Sequence, residues 1–412
     1  MKTITLLLDG VGDRSYKELD YKTPLEYAKT PNLDRIAKNS QCGIMNVLEE
    51  GKALGTDLAH FILFGYTLDE YPGRAVIDMI GEKLHCHEES LILRISFASV
   101  IKSEGFLIEE RFVKEISKKE IETICNKLSY KEDGYEFKLI HSYDSHGFLI
   151  VKKIDGEVEL SSKISDSDPF YEKQFVMKIE PFENYSLESK FTAKLLNKYL
   201  INSYNMLNND YKKNACNFIL TKWAGFYKKP ESFYKRNGLK GCIVGKSKLF
   251  NGISNITSMD YYEYKNFDEA IELALTLDYA YIHLHTKKTD EASHKKDPLL
   301  KAKVLEEIDK KISRLLDFEG LLIVTADHST PCSGKMIHSG ESVPFMAKGE
   351  FIRIDKVEKF DEISCFRGSI HLYGKNFMNY IQNATDSANL YHLRAGNKKK
   401  NYIPKEVNKL IE

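Results

Sequence analysis

The sequence predicts an α/β protein: a mostly parallel sheet with helices on both faces, carrying an inserted α+β domain. Three observations lead there. Apolar, β-branched-rich runs that end in polar loops recur at TITLLLDG (3–10), DYAYIHLHT (278–286) and GLLIVTADHS (320–329). Helical periodicity separates the last two of them, as parallel crossovers require. Between about 80 and 228 the pattern changes to shorter, alternating strands of hairpin type.

The first run is apolar on both faces and reads as a buried parallel strand. TPNLDRIAKNS (30–40) follows as a short helix, with Thr30 as N-cap and Pro31 at the first helical position. LGTDLAHFILFGY (54–66) reads as a turn and then an apolar helix. In the middle, ESLILRISFASV, GFLIEERFV, YEFKLIHSYD and HGFLIVKKIDGEVEL read as strands. KEIETICNKLS and ESKFTAKLLNKYLINSYNML read as helices. FDEAIELALTLDYAYIHLHT gives a helix at about 267–277 and a strand at about 279–285. DPLLKAKVLEEIDKKISRLLDF is a long amphipathic helix, and GLLIVTADHS is strand and loop again. The expected domains are a core of 1–78 and 229–390, an insert of 79–228, and a C-terminal extension of 391–412.

Composition narrows the class. The 412 residues carry 60 basic and 60 acidic side chains, so no charge excess favours nucleic acid or an anionic membrane. Seven cysteines without a CxxC pair suggest reduced thiols in the cytoplasm. The N-terminal apolar run is too short for a signal peptide or a membrane span. Nothing in the sequence sets an oligomeric state.

Four loops at strand ends or helix starts hold polar clusters. They are LLLDGVGDR (Asp9), LGTDLAH (Thr56, Asp57, His60), HTKKTDEASH (Asp290, His294) and TADHSTPCSGKMIHSG (Asp327, His328, His338). Ligands in such sheets bind at the carboxyl ends of strands. Asp290 and His294, spaced i and i+4, share a helical face. Carboxylates and imidazoles in about equal number suit Mn²⁺ or Zn²⁺ better than Ca²⁺, and Mg²⁺ fits some versions of the set. Six ligands exceed one tetrahedral ion and suffice for two divalent metal ions. A two-metal pair clamps the attacking and leaving oxygens of a phosphoryl transfer. Thr56 is the hydroxyl placed to act as nucleophile.

The order Asp, (Ser/Thr)-Asp, Asp-x3-His, Asp-His, His resembles that of the alkaline phosphatase superfamily. More closely, the chain resembles the archaeal-type cofactor-independent phosphoglycerate mutases. The residues that carry this are DGVGDR (9–14), KTPLEYAKTPNLDRIAKNSQCGIM (22–45), GTDLAHFILFGY (55–66), YPGR (71–74), ISDSDPFY (164–171), GLKG (238–241), TDEASHKKD (289–297), TADHSTPCSGKMIHSGESVPFM (325–346) and RGS (367–369). The resemblance implies an alkaline-phosphatase-like core. It implies one metal held by Asp290, His294 and His338, and a second held by Asp9, Asp327 and His328, with Thr56 as ligand and nucleophile. Asp57 and Lys248 are the further catalytic candidates; Asp57, Arg94, Arg111 and Lys246 are the substrate-binding ones. The implied substrate is a small phosphorylated metabolite, by default 2- and 3-phosphoglycerate of glycolysis, with the insert as a lid that excludes water.

The chain departs from its relatives in places. They usually have Ser at Thr56, which leaves the oxygen in place. In the insert, RISFAS (94–99), RFVKE (111–115) and TKWAGF (221–226) replace segments richer in arginine and amide, and a basic residue at Asn251 is lost. Between Thr56 and Asp290 the only arginines are Arg74, Arg94, Arg111 and Arg236. Arginine forks bind carboxylate and phosphate bidentately, and lysine does not reproduce that. This drift keeps open a phosphohydrolase, phosphodiesterase or phosphonate-processing enzyme on another small substrate, and a metal-stabilised binding protein without turnover. Trp223 either stacks on a substrate or packs structurally. His85 and His87 around Cys86 form either a third metal site or an ordinary polar loop. His283 and His285 alternate on the strand that leads into the site.

Overall fold

A computed structural model describes all residues except 87, 183–185, 211–215, 389–410 and 412, and the side chains of 209 and 210. The terminal extension expected at 391–412 therefore lies, Ile411 aside, outside the described residues. So does His87 of the alternative third metal site.

The chain forms two compact units, Met1–Tyr71 with Pro230–Glu412, and Pro72–Lys229. The second begins earlier than the expected residue 79. The reason is the helix Arg74–Gly81, which packs on the strands Phe218–Phe226 and Ser90–Lys102. A Cβ on Gly225 would meet the Pro72 carbonyl at 2.1 Å, so this approach of two backbones requires glycine.

The first unit is built on one sheet. Its strands run in the order Asp260–Glu263, Gly241–Gly245, Tyr281–Thr286, Thr3–Leu8, Leu321–Thr325, Val343–Lys348, Gln41–Asn46 and Ile370–Tyr373. Only Val343–Lys348 runs against the others. The mostly parallel α/β reading is the observed fold. Thr3–Leu8 and Tyr281–Thr286 are buried at every position, as central strands covered on both faces must be. Each of Leu6, Leu7 and Leu8, with no exposed surface, contributes about 1.5–3 kcal/mol of burial.

The helix expected at about 267–277 is Phe267–Thr276, capped by the Asn266 side chain, and its strand is Tyr281–Thr286. The long amphipathic helix is Pro298–Ile312, capped by Asp297. Thr30 does stand before the helix Pro31–Ala37, but its side chain accepts no capping hydrogen bond; φ −120° and ψ 61° leave it outside the extended geometry of a cap.

The second unit is an antiparallel sheet in the order Phe106–Glu110, Ser90–Lys102, His146–Lys153, Tyr135–His141 and Tyr130–Glu132, with Phe218–Phe226 also paired to Ser90–Lys102. The helices Lys118–Lys127 and Leu187–Asp210 belong to it. Its apolar core joins Leu91, Leu93, Ile95 and Phe97 to Ile121, Ile124, Leu196 and Tyr199. Among the described residues no helix is long and apolar enough to cross a membrane.

Candidate metal centre

Because Thr3–Leu8, Tyr281–Thr286 and Leu321–Thr325 are parallel, their carboxyl ends share one edge. Asp9, the helix Lys288–His294 and the Asp327–His328 pair all leave from that edge. Gly10 makes the first turn there with φ +62°; a Cβ would meet Thr330 Oγ1 at 2.3 Å and Asp290 Oδ1 at 3.1 Å.

Two triads form. Asp290, His294 and His338 place one ligand atom each within 4.8 Å of one another, and Asp9, Asp327 and His328 do the same. His294 Nε2 lies 3.1 Å and His338 Nε2 3.7 Å from Asp290 Oδ1. His328 Nε2 lies 3.3 Å from both Asp9 Oδ1 and Asp327 Oδ2. The rings of His328 and His338 stack at 3.8 Å, which sets the triads side by side. Thr56 begins the helix Thr56–Leu63, and its Oγ1 is 3.2 Å from His328 Nε2.

The hydrogen bonds leave the Asp9–Asp327–His328 triad without donors of its own where its atoms converge. Asp9 Oδ2 accepts from His285 Nε2 at 3.1 Å, and Asp327 Oδ1 accepts from the backbone N–H of Gly10 at 3.2 Å and of His328 at 3.1 Å. The other oxygens, Asp9 Oδ1 and Asp327 Oδ2, are buried without a hydrogen-bond partner. Thr330 Oγ1 donates to Asp290 Oδ1 at 2.9 Å, so His328 Nδ1 donates to Thr330 at 3.1 Å and presents a lone pair on Nε2. His338 Nδ1 donates to the Leu54 carbonyl at 2.6 Å and likewise frees Nε2. Acceptor atoms facing one another at 3.3 Å repel unless a proton or a cation lies among them, and these carboxylates and imidazoles fit divalent metal ions.

Electrostatics agree. Burial, with neighbouring carboxylate charge, raises the pKa values of Asp9 and Asp327 well above the usual carboxylate range. Burial also opposes the Asp290 carboxylate, but the His294 hydrogen bond and nearby imidazoles outweigh it and lower its pKa. Burial, then the neighbouring His338, keeps His328 neutral, and burial lowers His338. Neutral imidazoles are the ligating form.

A third grouping, His60, His285 and Asp327, has its nitrogens engaged. His60 Nδ1 donates to the Thr56 carbonyl at 2.6 Å, so its Nε2 accepts from His283 at 3.0 Å. Burial lowers His60 and His285 to about 3. His283 and His285 thus share one face of their strand, and His285 reaches Asp9. Asp57 is buried beside Thr56 and accepts from Tyr71 Oη. Lys246 and Lys248 are exposed; Lys246 Nζ donates to the Lys265 carbonyl at 3.4 Å.

Lys301 and Thr330 carry weight that their sequence context did not signal. Lys301 is fully buried, and its ammonium bonds the carbonyls of Gly10 (2.9 Å), Gly12 (3.2 Å) and Thr330 (3.1 Å) and the Asp13 carboxylate (3.0 Å). It ties the Asp9 loop to the Asp327 loop. Lys301→Met leaves Asp13 as an unpaired buried charge, and is expected to lower unfolding free energy by about 3 kcal/mol, read from urea denaturation.

In the second unit, Arg94 pairs with Glu82 at 2.9 Å and lies over the Phe148 ring. Arg111 forks onto Asp168 at 2.7 and 2.8 Å, and Lys222 shares that carboxylate at 2.8 Å while donating to Ser96 at 3.2 Å. Ser96, in the RISFAS segment, accepts from the lysine ammonium. Both arginines are thus held by carboxylates of their own unit. Burial raises Asp166 to about 6. Its folded pKa exceeds the unfolded one, so its stability contribution is present below about 4 and is lost as pH rises through about 6. Asp166→Asn should flatten that slope in thermal midpoints measured from pH 4 to pH 7.

Residues 1–383 match the family model described as the Metalloenzyme superfamily. The chain is 47% identical to 2,3-bisphosphoglycerate-independent phosphoglycerate mutase 2 of Methanocaldococcus jannaschii, over 98% of each chain. It is 33% identical to mutase 1 of that organism, over 93% of this chain and 97% of the relative. Among solved structures, the cofactor-independent phosphoglycerate mutase from Thermoplasma acidophilum is similar with a TM-score of 0.62 at 27% identity, over 93% of this chain and 100% of that one.

Proposed function

The chain belongs to the 2,3-bisphosphoglycerate-independent phosphoglycerate mutase family within the Metalloenzyme superfamily, and we propose that it interconverts 2- and 3-phosphoglycerate through Thr56. The observation that carries this is the convergence of two carboxylate–imidazole triads beside the Thr56 hydroxyl.

Asp290, His294 and His338 are proposed to hold one ion, and Asp9, Asp327 and His328 the other, with Thr56 as a further ligand. The mixed oxygen and nitrogen set suits Mn²⁺ or Zn²⁺, with Mg²⁺ less favoured by the imidazoles. When bound, such ions make a hydroxyl acidic near neutral pH and offset phosphoryl charge. Thr56 Oγ1 attacks phosphorus, an O–P bond to it forms, and the glycerate oxygen leaves with its electron pair and takes up a proton. The neighbouring glycerate hydroxyl then gives up its proton and attacks the phosphorus of phosphothreonine; its new O–P bond forms as the Thr56 O–P bond breaks, and Oγ1 leaves with the electron pair and takes back a proton. His60 and His338 position this chemistry by fixing the Thr56 and Leu54 carbonyls.

Asp57, with Tyr71 donating to it, is proposed to act beside the nucleophile and on substrate. Lys248 and Lys246 are proposed to balance phosphoryl charge, and Arg94 and Arg111 to bind the acid. On this reading the enzyme serves glycolysis in the cytoplasm, which the buried free cysteines support.

The test is incubation of the Mn²⁺-loaded protein with 3-phosphoglycerate, followed by phosphorus NMR. Appearance of 2-phosphoglycerate without free phosphate supports the mutase; accumulation of free phosphate assigns a phosphohydrolase instead.

A further inference from the structure

A side chain that belongs to neither triad joins the two. Thr330 is fully buried, and its backbone is pinned from both sides. Its N–H donates to the Gly12 carbonyl at 3.0 Å, and its carbonyl accepts from the Lys301 ammonium at 3.1 Å. From that fixed point Oγ1 donates to Asp290 Oδ1 at 2.9 Å and accepts from His328 Nδ1 at 3.1 Å. Asp290 belongs to one triad and His328 to the other. Gly10 makes room for the hydroxyl, since a Cβ there would stand 2.3 Å from it.

A hydroxyl has one proton to give, and a carboxylate oxygen can only accept. The Thr330 proton therefore goes to Asp290, and the proton between Thr330 and His328 comes from the imidazole. This sets the neutral ring with its N–H on Nδ1 and its lone pair on Nε2.

The other neighbours of His328 favour the opposite tautomer. Its Nε2 faces Asp9 Oδ1 and Asp327 Oδ2, each at 3.3 Å, and both oxygens are buried without a hydrogen-bond partner. A proton on Nε2 would serve these two acceptors, and a nitrogen that carries a proton is no metal ligand. Thr330 withholds the imidazole proton from the point where the three side chains converge, and so leaves that point to a cation. On its other side the same hydroxyl fixes Asp290 Oδ1, which lies 3.1 Å from His294 Nε2 and 3.7 Å from His338 Nε2.

We infer that Thr330 is a positioning residue for both proposed ions: its hydroxyl holds His328 in the ligating tautomer for one and orients Asp290 for the other. This rests on the two-ion reading of the centre, and deepens it by naming the side chain that holds the two ligand sets together.

The test equilibrates the Mn²⁺-loaded full chain against chelator-buffered Mn²⁺ of falling free concentration, with ions per chain counted by plasma mass spectrometry. The wild type should release two ions. Thr330→Val keeps the branched shape and removes the hydroxyl. Both of its release midpoints should move to about 10–100-fold higher free Mn²⁺, the usual cost of losing a partner that orients a ligand. Thr330→Ser restores the hydroxyl, and both midpoints should return to within about threefold of the wild type. Unchanged midpoints in Thr330→Val overturn the inference while the two-ion reading stands. A shift confined to one ion overturns the joint role. A serine variant as weak as the valine one makes packing the cause and overturns it too. Should Thr330→Val not fold, Thr330→Ala is measured in the same way; failure of both to fold assigns the hydroxyl to the fold and overturns the inference. A wild type that binds fewer than two ions overturns the two-ion reading itself, and this inference with it.

Discussion

Thr56→Ala is expected to lower turnover by on the order of 10⁴-fold while the protein stays folded and retains metal. The hydroxyl is the only part of Thr56 that the proposed chemistry uses. Its Oγ1 stands 3.2 Å from His328 Nε2, beside a triad whose free atoms are all acceptors. Removing it leaves the helix start intact, because Gly55 occupies the cap position and makes no side-chain bond there. The His60 hydrogen bond goes to the Thr56 carbonyl and survives the substitution. Loss of stability should therefore stay near 1 kcal/mol. Thr56→Ser restores the oxygen with a freer χ1 and should recover activity to within about tenfold of wild type. Turnover of 3-phosphoglycerate, measured beside metal content by plasma mass spectrometry, separates loss of the nucleophile from loss of the centre.

His338→Ala is the second large effect. One triad loses its half-buried imidazole nitrogen, and the remaining pair, Asp290 and the exposed His294, makes a poor site for a divalent ion. The substitution also frees the Leu54 carbonyl, which His338 Nδ1 holds at 2.6 Å just before Thr56. Metal content is expected to fall from two ions to about one per chain. An ion that stabilises developing charge contributes several kcal/mol, so turnover should fall on the order of 10³-fold. High Mn²⁺ should recover part of it by mass action. Equal metal content in variant and wild type would remove His338 from the ligand set.

Much of the centre was legible because each candidate ligand follows a recognisable element. Asp9, Asp327 and His328 leave buried strands whose β-branched, apolar run is unmistakable, and Asp290 and His294 carry helical spacing. Parallel strands end on one edge, so residues far apart in sequence had to meet. Lys301 was hidden because its helix reads as an ordinary amphipathic one; only the approach of the Gly10 and Thr330 loops turns a lysine into a buried clamp. Thr330 was hidden for the same reason. The unit boundary at Pro72 was hidden because it depends on a helix meeting a strand far along the chain, at Gly225. Trp223 could be flagged as unusual, but its left-handed backbone is invisible in a string of residues.

The account turns on a phosphoryl group passing through one threonine oxygen. The direct measurement is millisecond acid quench of the Mn²⁺-loaded enzyme mixed with 3-phosphoglycerate, with peptide mass spectrometry of the segment that contains residue 56. The expected result is phosphate on Thr56 within the first turnover, ahead of 2-phosphoglycerate. Isomerisation at the full rate with Thr56 never phosphorylated would contradict it.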